Sequence, residues 1–133
     1  TGVQTCALPI YPNTASGVTS VVLVANNLAD HHIFLEAFSG VRDLHATSSG
    51  ISLKIPNGAI EVMNPNAYAD HFGMRPPDTS NSARLAAIRF SVRDPAAPEA
   101  VFKNAAIPYT KYMDRLIVGP DVAMGATLIF DLD

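Results

Sequence analysis

An internal repeat is the feature of the sequence that most limits what this chain can fold into. Residues 20–25 form a Val-rich run that is typical of a β-strand. Asn27 follows, and asparagine commonly caps the start of a helix. When the sequence is shifted by 67 residues, residues 20–38 fall on residues 87–105 and Asn27 falls on Asp94, another common cap residue. The repeat predicts two copies of one module in which a strand leads into a helix.

Apolar stripes predict which face of each helix is buried. In the first helix the stripe ends before Gly40, a residue type that often terminates helices. Its members recur at helical spacing and are Ile33, Phe34, Ala37 and Phe38. The second helix has a matching stripe of Ala97, Val101, Phe102 and Ala105. We therefore expect Phe34 and Phe102 to be buried between their helices and the sheet.

Strand and turn signals complete each module. Residues 51–55 alternate between apolar and polar side chains, Asn57 and Gly58 predict a hairpin turn, and residues 59–63 form the paired strand. The second module is predicted to open with a strand at residues 84–92 and to close with strands at residues 115–118 and 126–132.

The predicted fold class is α+β, with two βαβββ modules. They span residues 17–64 and 83–133, and a linker at residues 65–82 contains one short helical turn at residues 66–72. Each predicted sheet has one apolar face for its helix and one mixed face. Two such modules side by side would place the mixed faces around a shared cleft.

The first ten residues differ from the rest of the chain. Residues 1–10 resemble the in-frame translation of a common high-throughput sequencing adapter, so we expect an artefactual tail and a natural chain from residue 11 that is truncated on its N-terminal side. The only cysteine is Cys6. The domain at residues 11–133 therefore has no disulfide framework, thiolate metal site or cysteine nucleophile. A cysteine-free domain fits a reducing cytoplasm, which is the expected location.

Charge and hydropathy exclude two classes of partner. The formal net charge is −3 and the isoelectric point is about 5.7, so nothing attracts the chain to nucleic acid or to an anionic membrane in general. No apolar run approaches the roughly 20 residues of a transmembrane helix. We expect neither nucleic acid nor membrane as a partner.

The module content resembles the vicinal oxygen chelate superfamily, which includes glyoxalase I, bleomycin-resistance proteins and extradiol dioxygenases. Four stretches of the sequence are similar to the C-terminal half of glyoxalase-like domain proteins. These stretches are GVTSVVLVANNLADHHIFLEAFSGVRDLHATSSGI, IEVMNP, PPDTSNSARLAAIRFSVRD and RLIVGPDVAMGATLIF. The resemblance spans residues 11–132 and implies that an N-terminal half of the same protein is a partner.

The resemblance also implies where a metal site would lie. In metal-dependent members, the ligands come from the first and last strands of each module. The matching positions here are Ser20, Glu61, Ala87 and Ile129. Only Glu61 has a ligand side chain, whereas a divalent ion needs about three protein ligands. We expect no cofactor in this chain, and a divalent metal only in the missing half.

Arg89 is the side chain that we predict in place of the metal. It lies two residues beyond Ala87 and therefore on the same face of the strand. A carboxylate in a partly enclosed cleft needs a partner, so we predict that Arg89 pairs with Glu61. Together with His45, the predicted ligand cleft contains Ser20, Glu61, Arg89 and Ile129.

Two functions remain open at this point. The first is a degenerate, metal-free half that binds a small molecule or supports a catalytic N-terminal half, with a homodimer as a further possibility. The second is a metal-dependent lyase or dioxygenase acting on a small carbonyl or aromatic compound. The chain has no Gly-rich phosphate loop and no G-x-S-x-G motif, and His31, His32 and His71 are interpreted as surface or packing residues.

Overall fold

A computed structural model describes residues 11–42 and 44–132, where eight strands and three α-helices follow one another along the chain. In order, the elements are β1 (Ala15–Val24), a 3₁₀-helix (Leu28–His31), α1 (His32–Ser39), β2 (His45–Ala46), β3 (Gly50–Ile55), β4 (Gly58–Met63), α2 (Pro65–Phe72), β5 (Arg84–Val92), α3 (Ala97–Asn104), β6 (Thr110–Tyr112), β7 (Arg115–Val118) and β8 (Thr127–Asp131). The predicted artefactual tail lies outside the described residues. None of the helices in these ranges is long and apolar enough to cross a membrane.

The strands form one sheet in the order β2-β3-β4-β1-β5-β8-β7-β6. In the first module β1 runs parallel to β4, and in the second β5 runs parallel to β8. The two modules join where β1 pairs antiparallel with β5. The sheet therefore repeats one strand pattern on both sides of its centre, which confirms the predicted α+β fold of paired βαβββ modules.

One face of the sheet is covered by α1 and α3. The core under α1 consists of Ala25, Leu35, Ile51, Leu53 and Val62. The core under α3 consists of Phe102, Leu116, Val118 and Phe130. The prediction that Phe102 is buried is confirmed, and its ring meets Phe130 edge-on at a centroid distance of 5.3 Å.

The predicted orientation of α1 is wrong. Phe34 is 64% exposed, and the inward residue is its neighbour Leu35. The 67-residue shift aligns Leu35 with Phe102, so the alignment of the two repeats pairs the two buried residues. The apolar stripe misled because all four of its members are exposed, and periodicity within one helix does not by itself identify the side that meets the sheet.

The linker supplies α2, which packs on the opposite face of the sheet. Asn64 caps the helix by accepting a hydrogen bond of 2.7 Å from the Ala67 backbone N–H. At the other end, Gly73 takes a φ of 64° that favours glycine. Tyr68 and Phe72 are fully buried against the sheet. The predicted short turn is thus a complete helix, and it occupies the cleft between the modules.

Candidate functional site

Glu61 and Arg89 meet at the centre of the cleft, on the sheet face that α2 covers. The two oxygens of Glu61, Oε1 and Oε2, each accept a hydrogen bond of 3.1 Å from Nη1 of Arg89. Ser20 Oγ donates a further hydrogen bond of 2.9 Å to Oε2. The ion pair predicted from strand alternation is therefore present, and Ser20 also binds the Glu61 carboxylate.

Arg89 also binds a second carboxylate that the sequence reasoning missed. Its Nε and Nη2 donate to Oδ2 and Oδ1 of Asp131, each at 3.0 Å, in a bidentate arrangement. Arg115 Nε donates to Oδ1 of the same carboxylate at 3.3 Å. The available signal was the alternation of β8, because Asp131 lies two residues beyond Ile129, just as Arg89 lies two beyond Ala87.

The four charged side chains form a compact, balanced cluster. Two guanidinium groups face two carboxylates, and the side chains of Arg89, Glu61 and Asp131 are 17%, 21% and 16% exposed. Burial by itself would lower the pKa of Arg89. The hydrogen bond to Asp131 and the charges of Glu61 and Asp131 together outweigh burial and raise that pKa above its ordinary value. Arg89 therefore stays charged, and its charge is fully matched within the cleft.

Phe72 of α2 lies against both guanidinium groups. The Cζ atoms of Arg89 and Arg115 are 5.5 Å and 5.4 Å from the centre of its ring, within the range of cation–π attraction. Arg115 Nη1 also donates to the backbone carbonyl of His71 at 2.8 Å, and the Tyr112 hydroxyl donates to that of Asp70 at 2.9 Å. These contacts satisfy carbonyls at the C-terminal end of α2 and fix the helix over the ion cluster.

Tyr68 anchors the same helix one turn earlier. Its ring is 5.2 Å from that of Phe72 in an edge-on contact, and its side chain is fully buried. Burial raises the pKa of the Tyr68 hydroxyl, and a hydrogen bond with Thr127 offsets only part of that rise. The hydroxyl is therefore neutral in the folded protein near neutral pH.

Beside the ion cluster, a cavity of about 170 Å³ remains open. Its walls include Glu61, Met63 and Ala67, together with His45 on β2 and His71 at the end of α2. Thr47, Ser49 and Ser52 also line the cavity, whose surface is mostly apolar. The cavity is thus formed by the first module and α2.

The structure separates the five predicted cleft residues into three groups. Glu61 accepts hydrogen bonds from both Ser20 and Arg89. Ile129 is Arg89's partner in the β5–β8 register, but its side chain is fully buried in the apolar core under α2. His45 lines the cavity with Glu61 and is not part of the ion cluster.

The sequence matches no protein-family model and no curated protein. Solved structures nevertheless share the fold. Methylmalonyl-CoA epimerase from Mycobacterium tuberculosis is 11% identical over 88% of this chain and 87% of its own, with a TM-score of 0.61. A hypothetical protein from Bacillus halodurans C-125 is 12% identical over 86% and 91%, with a TM-score of 0.63. A Streptomyces coelicolor methylmalonyl-CoA epimerase variant, in complex with 2-nitronate-propionyl-CoA, is 12% identical over 90% and 99%, with a TM-score of 0.57.

Methylmalonyl-CoA epimerase is a member of the vicinal oxygen chelate superfamily. The chain has the vicinal oxygen chelate fold. This agrees with the resemblance drawn from the sequence, and at 11–12% identity it concerns the fold alone.

The residues at the four positions predicted for metal ligands do not fit a divalent ion. Ala87 and Ile129 carry no donor atom and are fully buried. The oxygens of Glu61 are engaged by Arg89 and Ser20. Within residues 11–42 and 44–132, no three side chains of His, Cys, Asp or Glu are grouped to hold a metal ion. The chemistry that this donor set supports is hydrogen bonding and charge pairing.

Proposed function

We propose that this chain is the C-terminal half of a glyoxalase-like protein, and that it binds a small molecule without using a metal. The observation that carries the proposal is the position of the Arg89 guanidinium. It lies beside Glu61 and Ser20, where the ligands of a metal-dependent member would converge, and it satisfies the Glu61 carboxylate with hydrogen bonds. Binding a cation there would require the ion pair to break first.

The neighbouring cavity suggests the size of the ligand. A cavity of about 150 Å³ can hold benzene, and the space beside Glu61 is about 170 Å³. Imidazoles from His45 and His71 and several hydroxyls line its walls. The proposed ligand therefore places a compact group of about the size of benzene in this cavity, with polar atoms that can hydrogen-bond to imidazole and hydroxyl. No reaction is assigned to this chain.

The alternative, a metal-dependent lyase or dioxygenase, has weaker support. Such chemistry needs about three protein ligands and one open position on the metal. Of the four positions in question, only Glu61 offers a carboxylate. If the intact protein is a metalloenzyme, we infer that an N-terminal half outside this chain supplies the metal and that the present half supports it.

Elemental analysis tests the metal-free part of the proposal. The purified chain should contain far less than one equivalent of Zn, Ni, Mn or Fe. About one equivalent of metal, lost in Glu61→Ala but kept in Glu99→Ala, would contradict it. Glu99 is the matched control because its carboxylate lies outside the cleft, where it accepts a hydrogen bond from Tyr109.

A fragment screen tests the cavity. Compounds of about ten non-hydrogen atoms or fewer would be screened by NMR against the full chain. Ala67→Leu should weaken the binding of true ligands at least about tenfold because the larger side chain fills the cavity. Ala100→Leu, an exposed position on α3, is the control and should leave binding unchanged. Ligands that bind Ala67→Leu as tightly as the unmodified chain would show that the cavity is not the site.

A further inference from the structure

A largely apolar groove lies on the other side of the sheet from the ion cluster. Its volume is about 510 Å³, within the range of about 300–1,000 Å³ that is typical of small-molecule sites. Phe90 and Phe130 line it, and along their strands they directly adjoin Arg89 and Asp131 of the cluster. Because successive side chains of a strand point to opposite faces, the sheet separates this groove from the cleft.

The floor of the groove is aromatic and partly open to solvent. Phe90 and Phe130 are partners in the β5–β8 register, and their rings stack with centroids 5.2 Å apart. Phe102 of α3 covers Phe130 from above. Val18, the partner of Phe90 across β1 and β5, lines the same groove and is 49% exposed. The floor around Val18 can therefore accept the apolar body of a ligand.

Hydrogen-bond donors gather at one end of the groove. Arg93 follows β5, and its backbone N–H donates to the carbonyl of Thr14 at 2.9 Å, which places it beside the start of β1. Asn13 lines the same end, and its side-chain oxygen accepts a hydrogen bond of 3.0 Å from the backbone N–H two residues on. The amide N–H groups of Asn13 remain as donors. At the apolar end, Leu128 pairs with Ile88, about 16 Å along the strand from Arg93.

The charge of Arg93 indicates which ligand fits. Among the described residues that line the groove there is no Asp or Glu, and Arg93 carries the only formal charge. Within residues 11–42 and 44–132 it forms no ion pair, whereas Arg89 and Arg115 both bind Asp131. A guanidinium matches a carboxylate through two parallel hydrogen bonds. The complement of this groove is a carboxylate at the Arg93 end with an apolar body along the floor.

We propose that the groove binds an organic acid whose carboxylate is held by Arg93 and Asn13 and whose apolar body lies on Val18 and Phe90. Alkyl acids and aryl acids both present these two features. A cation would be repelled by Arg93, and a strongly polar ligand would gain nothing from the aromatic floor. The site is independent of the function proposed for the cleft, because the two lie on opposite faces of the sheet.

Isothermal titration calorimetry on the full chain tests the groove, with decanoate as the alkyl probe and naphthoate as the aryl probe. At least one acid should bind with a dissociation constant below about 1 mM. The alcohol with the same carbon skeleton should bind at least about fivefold more weakly. Arg93→Gln should weaken the acid at least about fivefold and its alcohol less than about twofold. Arg84→Gln, an exposed position at the other end of β5, is the matched control and should change neither.

A substitution in the floor tests where the apolar body lies. Val18→Glu places a negative charge beneath it and should weaken acid binding at least about tenfold, while circular dichroism shows that the chain remains folded. Val122→Glu is the matched control, since Val122 is 39% exposed and lies outside the groove. Ala67→Leu, which fills the cavity beside Glu61, should leave acid binding unchanged, so the two sites are tested separately.

Binding of decanoate alone would assign the groove to alkyl acids, and binding of naphthoate alone would assign it to aryl acids. Four results would overturn the proposal. These are no binding of either acid below about 1 mM, equal affinity for an acid and its alcohol, acid binding that survives Arg93→Gln or a folded Val18→Glu variant, and a loss of acid binding in Ala67→Leu.

Discussion

Replacing Arg89 with methionine is the most direct test of the ion cluster. The substitution keeps most of the aliphatic volume and removes the positive charge that binds both Glu61 and Asp131. Those two carboxylates would then remain in a cleft that α2 covers, where unpaired charge is costly. We therefore expect a large loss of folding stability, although Arg89 touches no part of the apolar core under α1.

The magnitude follows from the exposure of the cluster and from the contacts that remain. Breaking a fully buried ion pair costs about 3–5 kcal/mol. The present side chains keep 16–21% of their surface exposed. Arg115 would still bind Asp131, and Ser20 would still bind Glu61. A loss of about 2–4 kcal/mol in the free energy of unfolding is therefore expected, equivalent to a melting temperature about 6–16 °C lower for a domain of this size.

Urea and thermal unfolding would measure the loss, with two further variants as controls. Arg84→Met, an exposed position at the start of the same strand, should change stability by less than about 0.5 kcal/mol. Adding Glu61→Gln and Asp131→Asn to Arg89→Met should recover much of the loss, because no unpaired charge remains. A loss below about 1 kcal/mol for Arg89→Met would refute the reasoning, since it would place the cluster among ordinary surface ion pairs.

Three further predictions concern the rest of the chain. Phe102→Ala should lower the free energy of unfolding by about 3–5 kcal/mol. Phe34→Ala at low protein concentration should change it by less than about 0.5 kcal/mol. Equal losses in urea denaturation would contradict the orientation of α1 in which Phe34 faces solvent. Deleting residues 1–10 should shift the melting temperature by less than about 4 °C in calorimetry, and a larger drop would mean that the tail packs on the domain. Because the pKa of Tyr68 is raised in the folded state, the unfolded chain loses that proton first, so the contribution of Tyr68 to stability should be lost as pH rises above about 10. Tyr68→Phe should flatten that decline, and an unchanged slope would count against the raised pKa.

The ion pair between Glu61 and Arg89 could be predicted from the sequence because strand alternation assigns side chains to faces. In β5, the alternation is unbroken between Ala87, a position taken from the family resemblance, and Arg89. In β4, Glu61 is itself such a position. The same rule, applied to β8, would have led from Ile129 to Asp131. Local pattern is thus sufficient for the charged centre of the cleft.

The placement of α2 could not be predicted in the same way. Asn64, Pro65 and Gly73 are local signals for the start and end of a helix. The burial of Tyr68 and Phe72 depends on which sheet face the helix meets, and most of the apolar side chains on that face lie more than ten residues away in the sequence. The prediction of which side of α1 is buried failed for a related reason, since that side is set by the packing of Leu35 against strands distant in the sequence.

The two outermost strands of the sheet bear on how copies of this chain meet one another. β2 has two residues and β6 has three, so each open edge offers only a few backbone N–H and C=O groups to an incoming strand. Lys111 on β6 adds a charged side chain at one of these edges. Short and charged edges are poor templates for the strand addition that leads to fibrils. Open-ended growth through the sheet is therefore disfavoured.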